Sequence, residues 1–402
     1  MRTLSLWLSF ALIFTIPLEN AITFTELGTM TKVVGLLTAT VWMVSLLLTR
    51  KFRAPHPFQI VASLFILWNI LSIFWSVAVA ETLQQIKTYV QLGIMVFILW
   101  DLYTETKHLK AALQSYILGA YVAIASTIFN YLAGHEISAY SEGRYAGAGA
   151  NAVDLVLVLS LGLPVAWHLA TSAGNKIRNY PLTIVNYAYI PAAFFAILVT
   201  GSRTALFTVV PAVLYILRTT YRTKFLNRLL ILAIFVCALL ILQLNIPQPT
   251  LERLGTTRDS IAAGDLGGRG KLWGAAFAHF SEHPLFGLGS GALHSLYVLD
   301  AVAHNTFLSL LAELGLIGFS LFAFMLAIVA RQLVKKPISF SILWISVLAI
   351  WAIGVFTLSW EFRKPTWLFL SFVLISTSLY SESNQPDYRL GSPVNFNTGS
   401  QK

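Results

Sequence analysis

A histidine, an asparagine and a glutamate lie close together in the stretch DAVAHNTFLSLLAELG, which covers residues 300–315. His304 and Asn305 directly precede an apolar run, and Glu313 would lie about 2.5 turns along it in an α-helix. The positive end of a helix dipole favours a neutral imidazole, which can accept a proton as a general base does. An isolated His-Asn pair is more often an interfacial cap. The glutamate argues against that simpler role and needs a partner, for which we expect His304 or an arginine.

Two arginines are suited to bind an anionic group beside such a base. Arg269 lies in GGRGKLW, where glycines let the backbone approach a ligand and the following helix offers unpaired amide N–H groups. Its planar guanidinium binds two phosphate oxygens at once, and Lys271 would add a point charge. Arg203, in GSR, borders apolar sequence on the expected outer side of the membrane. It either extends to lipid headgroups or binds substrate, and its outer placement favours substrate binding.

The segment HFSEH at residues 279–283 matches the H-x-x-E-H pattern of a zinc peptidase family. Its histidines, four positions apart on a helix, could face one metal ion, with His294 as a third ligand. Pro284 ends such a helix immediately, and aromatic residues dominate the same face, so we expect no metal. Motifs for nucleotide phosphates and for a serine nucleophile are also missing, and we expect no cofactor. An already activated, lipid-linked donor fits better than nucleotide-driven chemistry.

These polar residues stand in a chain dominated by apolar sequence. Of 402 residues, 57% are hydrophobic and only 11% are charged, which excludes a soluble protein of this length. The apolar runs are about 15 to 24 residues long, as helices need to cross the bilayer, whereas barrel strands are shorter and alternate. We therefore predict an all-α polytopic membrane protein with about twelve transmembrane helices. The predicted spans begin near Leu4, Leu27, Phe58, Ile86, Ala111, Asn151, Leu182, Thr204, Leu229, His304, Ile338 and Trp367.

The distribution of the net charge of +10 predicts the orientation. Basic residues such as Arg50, Lys107 and Arg331 recur in the short loops on one side of the bundle, which marks that side as cytoplasmic. Both termini then lie inside. Orientation does not require the positive charges on the outer side, so we expect another purpose for them. They are Arg144, Arg203, Arg253, Arg258, Arg269, Lys271, Arg363 and Lys364.

The chain divides into four predicted segments. Residues 1–244 form an N-terminal transmembrane bundle of about nine helices, and residues 304–382 supply the C-terminal transmembrane helices. Between them, residues 245–303 form one long outer loop with short helices. Residues 383–402 are rich in polar residues and are predicted to be a disordered cytoplasmic tail.

The long loop contains a predicted amphipathic helix, GKLWGAAFAHFSEH. Trp273, Phe277 and Phe280 recur at helical spacing and share one face. We expect this face to rest on the membrane or to cover the site.

The motifs fall into a recognisable pattern. GRGKLWGAAFAHFSEHPLFGLGSGALHSLY followed by AHNTFLSLLAELGLIGFSLF resembles the core of the O-antigen ligase and polymerase superfamily, and GSR and SWEFRKPTW also fit. The combination of R-G-x-x-W, P-x-x-G-x-G and H-N-x-x-x-x-x-x-x-E-x-G is specific. The resemblance covers roughly the second half of the chain, and the first half agrees mainly in hydropathy.

The resemblance implies a metal-independent glycosyl transfer at the periplasmic face of the inner membrane in a Gram-negative bacterium. Polysaccharide would pass from undecaprenyl diphosphate to a sugar hydroxyl of lipid A-core, with inversion at the anomeric carbon. The essential histidine of the family falls on His304, the expected general base. Its arginines fall on Arg269 and Arg203, which would bind the diphosphate.

Further residues are expected to contact the substrates. They are Lys271, Trp273, Asn305, Glu313 and Arg144. Arg144 lies in SEGRYAGAGAN, a loop that would either touch donor sugars or remain solvated. The expected partners are the lipid-linked polysaccharide donor, the lipid A-core acceptor and membrane lipids, with no nucleic acid.

Several other functions fit parts of the pattern. A polymerase that joins lipid-linked repeat units needs the same base and arginines, and an O-oligosaccharyltransferase would transfer the glycan to a protein hydroxyl. The single long outer loop ending in His304 and Asn305 favours a ligase. A transporter of lipid-linked sugars would carry ionisable residues near the bilayer midplane and show internal repeats, and the sequence shows neither.

Overall fold

The computed structural model describes residues 1–24, 28–137, 143–172, 180–220, 255, 269–296 and 303–383. Of the described residues, 79% are helical. The helices are α1 (Arg2–Thr15), α2 (Met30–Thr49), α3 (Pro57–Leu71), α4 (Val79–Leu102), α5 (Thr106–Leu132), α6 (Ala152–Ser172), α7 (Tyr180–Val199), α8 (Ala205–Thr208), α9 (Val210–Thr220), α10 (Arg269–Glu282), α11 (Leu293–Leu296), α12 (Thr306–Val334), α13 (Ile338–Val355) and α14 (Lys364–Ser383). Two short strands, β1 (Thr23–Phe24) and β2 (Gly28–Thr29), pair antiparallel between α1 and α2.

Seven of the helical segments in the described part are long and apolar enough to cross a membrane. They are Met30–Thr49, Pro57–Phe74, Thr106–Leu132, Ala152–Ser172, Pro181–Val199, Thr306–Val334 and Ile338–Val355. The prediction of an all-α polytopic membrane protein is therefore confirmed. The count of twelve remains a prediction. A helix lies at every predicted span except the one beginning at Leu229, which falls outside the described residues, as do residues 256–268 of the predicted outer loop.

The centre of the bundle is built on α6 and α14. Helix α6 is buried along nearly its whole length and packs against α5, α7 and α13. Helix α14 is equally buried and contacts α4, α12 and α5. Its polar side chains find partners inside the bundle: Ser376 accepts from Trp344 Nε1 at 2.9 Å, and Thr366 accepts from Trp351 Nε1 at 2.9 Å. These bonds let a comparatively polar helix occupy the core.

Helix α12 is interrupted at Gly315, which has φ of 64° and ψ of −167°. The break frees backbone carbonyls that no lipid can satisfy. The loop that follows α10 supplies the missing donors: Leu288 N donates to Ala312 O at 2.9 Å, and Gly289 N donates to Glu313 O at 2.9 Å. In return Leu316 N donates to Pro284 O at 2.9 Å. The loop is therefore bound to the interrupted part of α12.

The same loop, residues 284–291, is also held by α3, α4 and the turn between them. Ser290 Oγ donates to Asn69 Oδ1 at 2.7 Å, and Thr82 Oγ1 donates to Ser290 O at 2.7 Å. Val77 N donates to Leu288 O at 3.0 Å. Through these bonds the loop fixes the end of α10 against the membrane-spanning helices.

Close backbone approach in this loop requires glycine. Gly287 has a φ of +70°, and a Cβ at this position would lie 2.4 Å from the carbonyl carbon and oxygen of Glu313. We expect Gly287→Ala to lower the free energy of unfolding by more than about 1 kcal/mol, because the left-handed backbone and the overlap both penalise a side chain. Thermal unfolding in detergent measures this loss.

Gly274→Ala is the matched control. Gly274 lies within α10, and a Cβ there meets nothing within 4 Å. Alanine should leave stability unchanged or raise it by up to about 1 kcal/mol. Equal melting temperatures for the two variants would contradict the described docking of the loop.

Candidate active site

The segment 356–363, which joins α13 to α14, connects the two places where site residues were predicted. Thr204, next to Arg203, lies with its Oγ1 3.5 Å from Thr357 Oγ1. Thr306, two residues after His304, donates from Oγ1 to Leu358 O at 2.9 Å and accepts from Trp360 N at 2.8 Å. The start of α8 and the start of α12 are therefore attached to one segment.

His304 stands immediately before α12 in a strained conformation. Its φ of 49° lies in the left-handed region, which is unusual for a residue other than glycine. Such strain is often found at functional sites. Burial lowers the pKa of His304 below its usual value, the positive charge of Arg269 lowers it further, and the carboxylate of Asp154 acts in the opposite direction. The imidazole is therefore neutral at neutral pH, as a general base must be.

Asp154 is a site residue that the sequence analysis missed. It lies in the first turn of α6, where Oδ1 accepts from Trp360 Nε1 at 2.6 Å and Oδ2 lies 3.5 Å from a terminal nitrogen of Arg363. It also influences the pKa of His304. The sequence did contain a signal for this role. Asp154 is a carboxylate at the outer end of a predicted span, and the arginines on the outer side had no other explanation.

Arg269 is the first residue of α10 and is half-buried. Burial lowers its pKa from the usual arginine value, but the guanidinium stays charged at any physiological pH. Ala276 of α10 is fully buried in a small cluster with Ala303 and Ala312. This packing holds α10 beside the first turns of α12, and so brings Arg269 into electrostatic range of His304.

Trp273 and Lys271 follow Arg269 on the same helix. The indole Nε1 of Trp273 is buried and has no hydrogen-bond partner among the described residues. Lys271 is exposed to solvent. Of the predicted aromatic face, Phe277 is 58% exposed and contacts Phe280, while Trp273 is half-buried. Contacts of these side chains with substrate remain predictions.

Several buried polar atoms at the site have no partner within the described part of the chain. They include Nε of Arg203, Nε of Arg363 and Oε2 of Glu361. An unsatisfied buried donor costs about 1–3 kcal/mol, so a ligand that accepts from the arginines would recover that cost. Gly201, with a φ of +59°, makes the turn that places Arg203 between α7 and α8.

Arg144 is not on a solvated loop. Its Nε donates to Thr200 O at 3.0 Å, and Tyr145 N donates to Val199 O at 3.0 Å. The loop before α6 is thereby attached to the C-terminal end of α7, one residue before GSR. Arg144 satisfies a helix-terminal carbonyl, as cations at such positions commonly do. Its proposed contact with substrate remains a prediction.

Asn305 and Glu313 both have structural partners. Asn305 Oδ1 accepts from Phe307 N at 3.0 Å and from Leu308 N at 3.1 Å, which makes it the N-cap of α12. Glu313 Oε2 accepts from Gly291 N at 2.8 Å. Among the described residues the expected histidine or arginine partner of Glu313 was therefore wrong, because the glycine-rich loop brings backbone amides to it instead.

Glu361 is a second buried carboxyl group, with only 2% of its surface exposed. Burial raises its pKa to about 8, and repulsion from Glu313 contributes in the same direction. Glu361 is therefore mostly protonated at neutral pH. The sequence analysis noted its segment, SWEFRKPTW, but gave Glu361 no role.

In HFSEH, His279 lies on α10 with its side chain 30% exposed, and His283 follows the end of this helix. His279 Nδ1 is 3.4 Å from a carboxylate oxygen of Glu282, and His283 is exposed. Within the part of the chain that is described, no three His, Cys, Asp or Glu side chains are grouped so that they could hold a metal ion. The side chain of His294 lies outside that part.

Residues 188–323 match the family model described as O-Antigen ligase. Over these residues the chain is similar to the O-antigen ligase family. The match contains Arg203, Arg269, His304 and Glu313, and so confirms the resemblance on which these residues were chosen. A search of curated proteins finds no match.

The similarity to the O-antigen ligase family and the apolar helices together indicate a bacterial membrane protein. The family comprises ligases and polymerases of glycosyl-transfer type, and its substrates are lipid-linked polysaccharides in the membrane.

The charges around His304 predict opposite pKa shifts in two variants. Asp154→Asn removes a negative charge that raises the pKa of His304, so this pKa should fall. Arg269→Gln removes a positive charge that lowers it, so this pKa should rise toward the usual 6.5. The pH dependence of diethyl pyrocarbonate labelling at His304, resolved by peptide mass spectrometry, measures both shifts. Shifts in the same direction in both variants would contradict the arrangement.

Proposed function

We propose that this protein transfers O-antigen polysaccharide from undecaprenyl diphosphate to a sugar hydroxyl of lipid A-core at the periplasmic face of the inner membrane. The O-antigen ligase match over residues 188–323, which contains Arg203, Arg269 and His304, is the observation that carries the proposal. The neutral, strained His304 within electrostatic range of a half-buried arginine supports it.

The reaction begins with proton removal from the acceptor. A ring nitrogen of His304 takes the proton of the acceptor hydroxyl as its oxygen attacks the anomeric carbon of the donor sugar. Asp154 stabilises the imidazolium that forms, because its negative charge favours the protonated state. The proton later leaves to water, which restores the base.

The bond between the anomeric carbon and the diphosphate oxygen breaks as the new bond forms. The electron pair leaves with the diphosphate, where negative charge increases. Arg203 and Arg269 bind that charge, and the buried Nε of Arg203 is available for a phosphate oxygen. Attack from the face opposite the leaving group inverts the anomeric carbon. Since diphosphate is a good leaving group, the proposed step requires neither a metal ion nor a general acid.

A polymerase of the same family is the second candidate. It would use the same base and arginines but accept a second lipid-linked glycan in place of lipid A-core. The two functions differ in the acceptor alone, as does transfer to a protein hydroxyl. A transporter of lipid-linked sugars differs in kind, because it forms no glycosidic bond.

His304→Ala should reduce transfer by a factor of about 10²–10⁴, the usual contribution of a general base. The measurement uses protein in chelator-treated liposomes with undecaprenyl-diphosphate-linked polysaccharide, with and without lipid A-core. The control is His279→Ala, on α10 beside Glu282, which should transfer at the wild-type rate. Longer glycans made without lipid A-core would show a polymerase, and loss of activity with chelator would contradict the metal-independent mechanism.

Arg203→Gln and Arg269→Gln should each lower kcat by a factor of about 10²–10³, since each removes a donor to charge that develops in the transition state. Lysine at either position should restore only part of the rate, because it lacks the planar fork. Arg331→Gln, at the far end of α12, is the matched control and should have no effect. Full activity of Arg203→Lys and Arg269→Lys would show that only net charge matters there.

A further inference from the structure

An apolar groove runs along the outside of the bundle between α1, α2 and α4. Its floor is formed by buried side chains that include Leu12, Leu92 and Met95. Small residues of α2, Gly35 and Ala39, leave room above this floor. Along α4 the groove extends from Thr88 to Ile98, a length of about 15 Å in a helix.

Positive charge lies at one end of this groove. Lys32, in the first turn of α2, and Lys364, the first residue of α14, both line it. Thr31 Oγ1 donates to Thr15 O at 2.9 Å, so the start of α2 lies at the end of α1. Lys364 pairs with Glu19, four residues after Thr15. The charged end is therefore the predicted outer end, where the orientation of the chain requires no lysine.

The groove meets the candidate active site at its charged end. Glu19, the partner of Lys364, also lines a second pocket, together with Asp154, Trp360 and Arg363. The Glu19–Lys364 ion pair thus forms the boundary between an apolar groove on the membrane side and the pocket that contains Asp154.

We infer that this groove binds the polyprenyl chain of the lipid-linked donor, with its phosphate groups leaving the groove between Lys32 and Lys364 toward the arginines of the site. The inference rests on the proposed function. An apolar groove of this length suits a single hydrocarbon chain. The exposed Lys32 at one end, with Lys364 in its ion pair with Glu19 beside it, suits the phosphate that such a chain carries. Exposed Leu36 and Ile94 along the groove leave it open to a lipid entering from the bilayer.

The test uses the full chain in nanodiscs, with undecaprenyl phosphate that carries a photoreactive diazirine in its chain. Phosphatidylglycerol with the same diazirine is the comparison probe. Labelled peptides are mapped by mass spectrometry in the absence of any acceptor. The polyprenyl probe should label residues 31–39 and 88–98, and unlabelled undecaprenyl diphosphate should displace it whereas phosphatidylglycerol should not.

Three variants distinguish binding in the groove from a general effect on the bundle. Gly35→Phe fills the groove, because a Cβ on Gly35 meets only Leu12 Cδ1 at 3.5 Å. This variant should lower labelling of the groove by about tenfold. It should also raise the KM for the donor while kcat stays unchanged. Leu47→Phe places the same aromatic ring at the other end of α2, where Leu47 is 72% exposed, and should change neither. Lys32→Gln should weaken labelling by the phosphate probe but not by the same probe made as an uncharged polyprenol.

The outcomes distinguish this inference from the proposed function. If the probe labels the groove but the protein transfers no glycan, the groove still binds the polyprenyl chain and the proposed glycosyl transfer is overturned. If the wild type transfers glycan but the probe labels other residues, only the assignment of the groove to the polyprenyl chain is overturned. Equal labelling by phosphatidylglycerol, without displacement by undecaprenyl diphosphate, would assign the groove to bulk lipid and overturn the inference.

Discussion

The arrangement of the site depends on the need to satisfy the backbone where α12 is broken. An interrupted helix at membrane depth exposes carbonyls that lipid cannot hydrogen-bond, so protein must supply the donors. Residues 284–291 do this at Gly315, and their glycines allow two backbones to approach each other. Because that loop directly follows α10, the same bonds set where α10 and Arg269 lie relative to His304. Glu313 strengthens the link, since its carboxylate accepts from Gly291 N.

A second constraint is the balance of charge around His304. Asp154 acts electrostatically on His304, pairs with Arg363 and accepts a hydrogen bond from Trp360. It can stabilise an imidazolium without taking a proton, which is the role that carboxylates commonly have beside a catalytic histidine. The arginines nevertheless leave the site with unused donors, which fits a substrate that carries a diphosphate. A neutral base beside cationic binding groups is the combination that glycosyl transfer from such a donor needs.

The sequence predicted the helical membrane architecture and a helix over GKLWGAAFAHFSEH, which the structure has at residues 269–282, whereas the roles of Arg203, Arg269 and His304 stay predictions. These features rest on hydropathy, local periodicity and motifs, which can be read within a short stretch. Asp154, the partner of Glu313 and the docking of Arg144 were missed or wrong. Each depends on contacts between distant parts of the chain: Asp154 meets Trp360, and Glu313 meets a loop amide. Helix α14 is an intermediate case, because its polar residues lowered its hydropathy although the bundle buries them.

The central claim is that the arginines bind the leaving diphosphate while His304 acts only on the acceptor. Equilibrium binding of undecaprenyl diphosphate to the wild type, His304→Ala, Arg203→Gln and Arg269→Gln in nanodiscs tests this division most directly. The account predicts an unchanged Kd for His304→Ala and a weaker Kd for both arginine variants. Weakened binding in His304→Ala with unchanged binding in the arginine variants would contradict it.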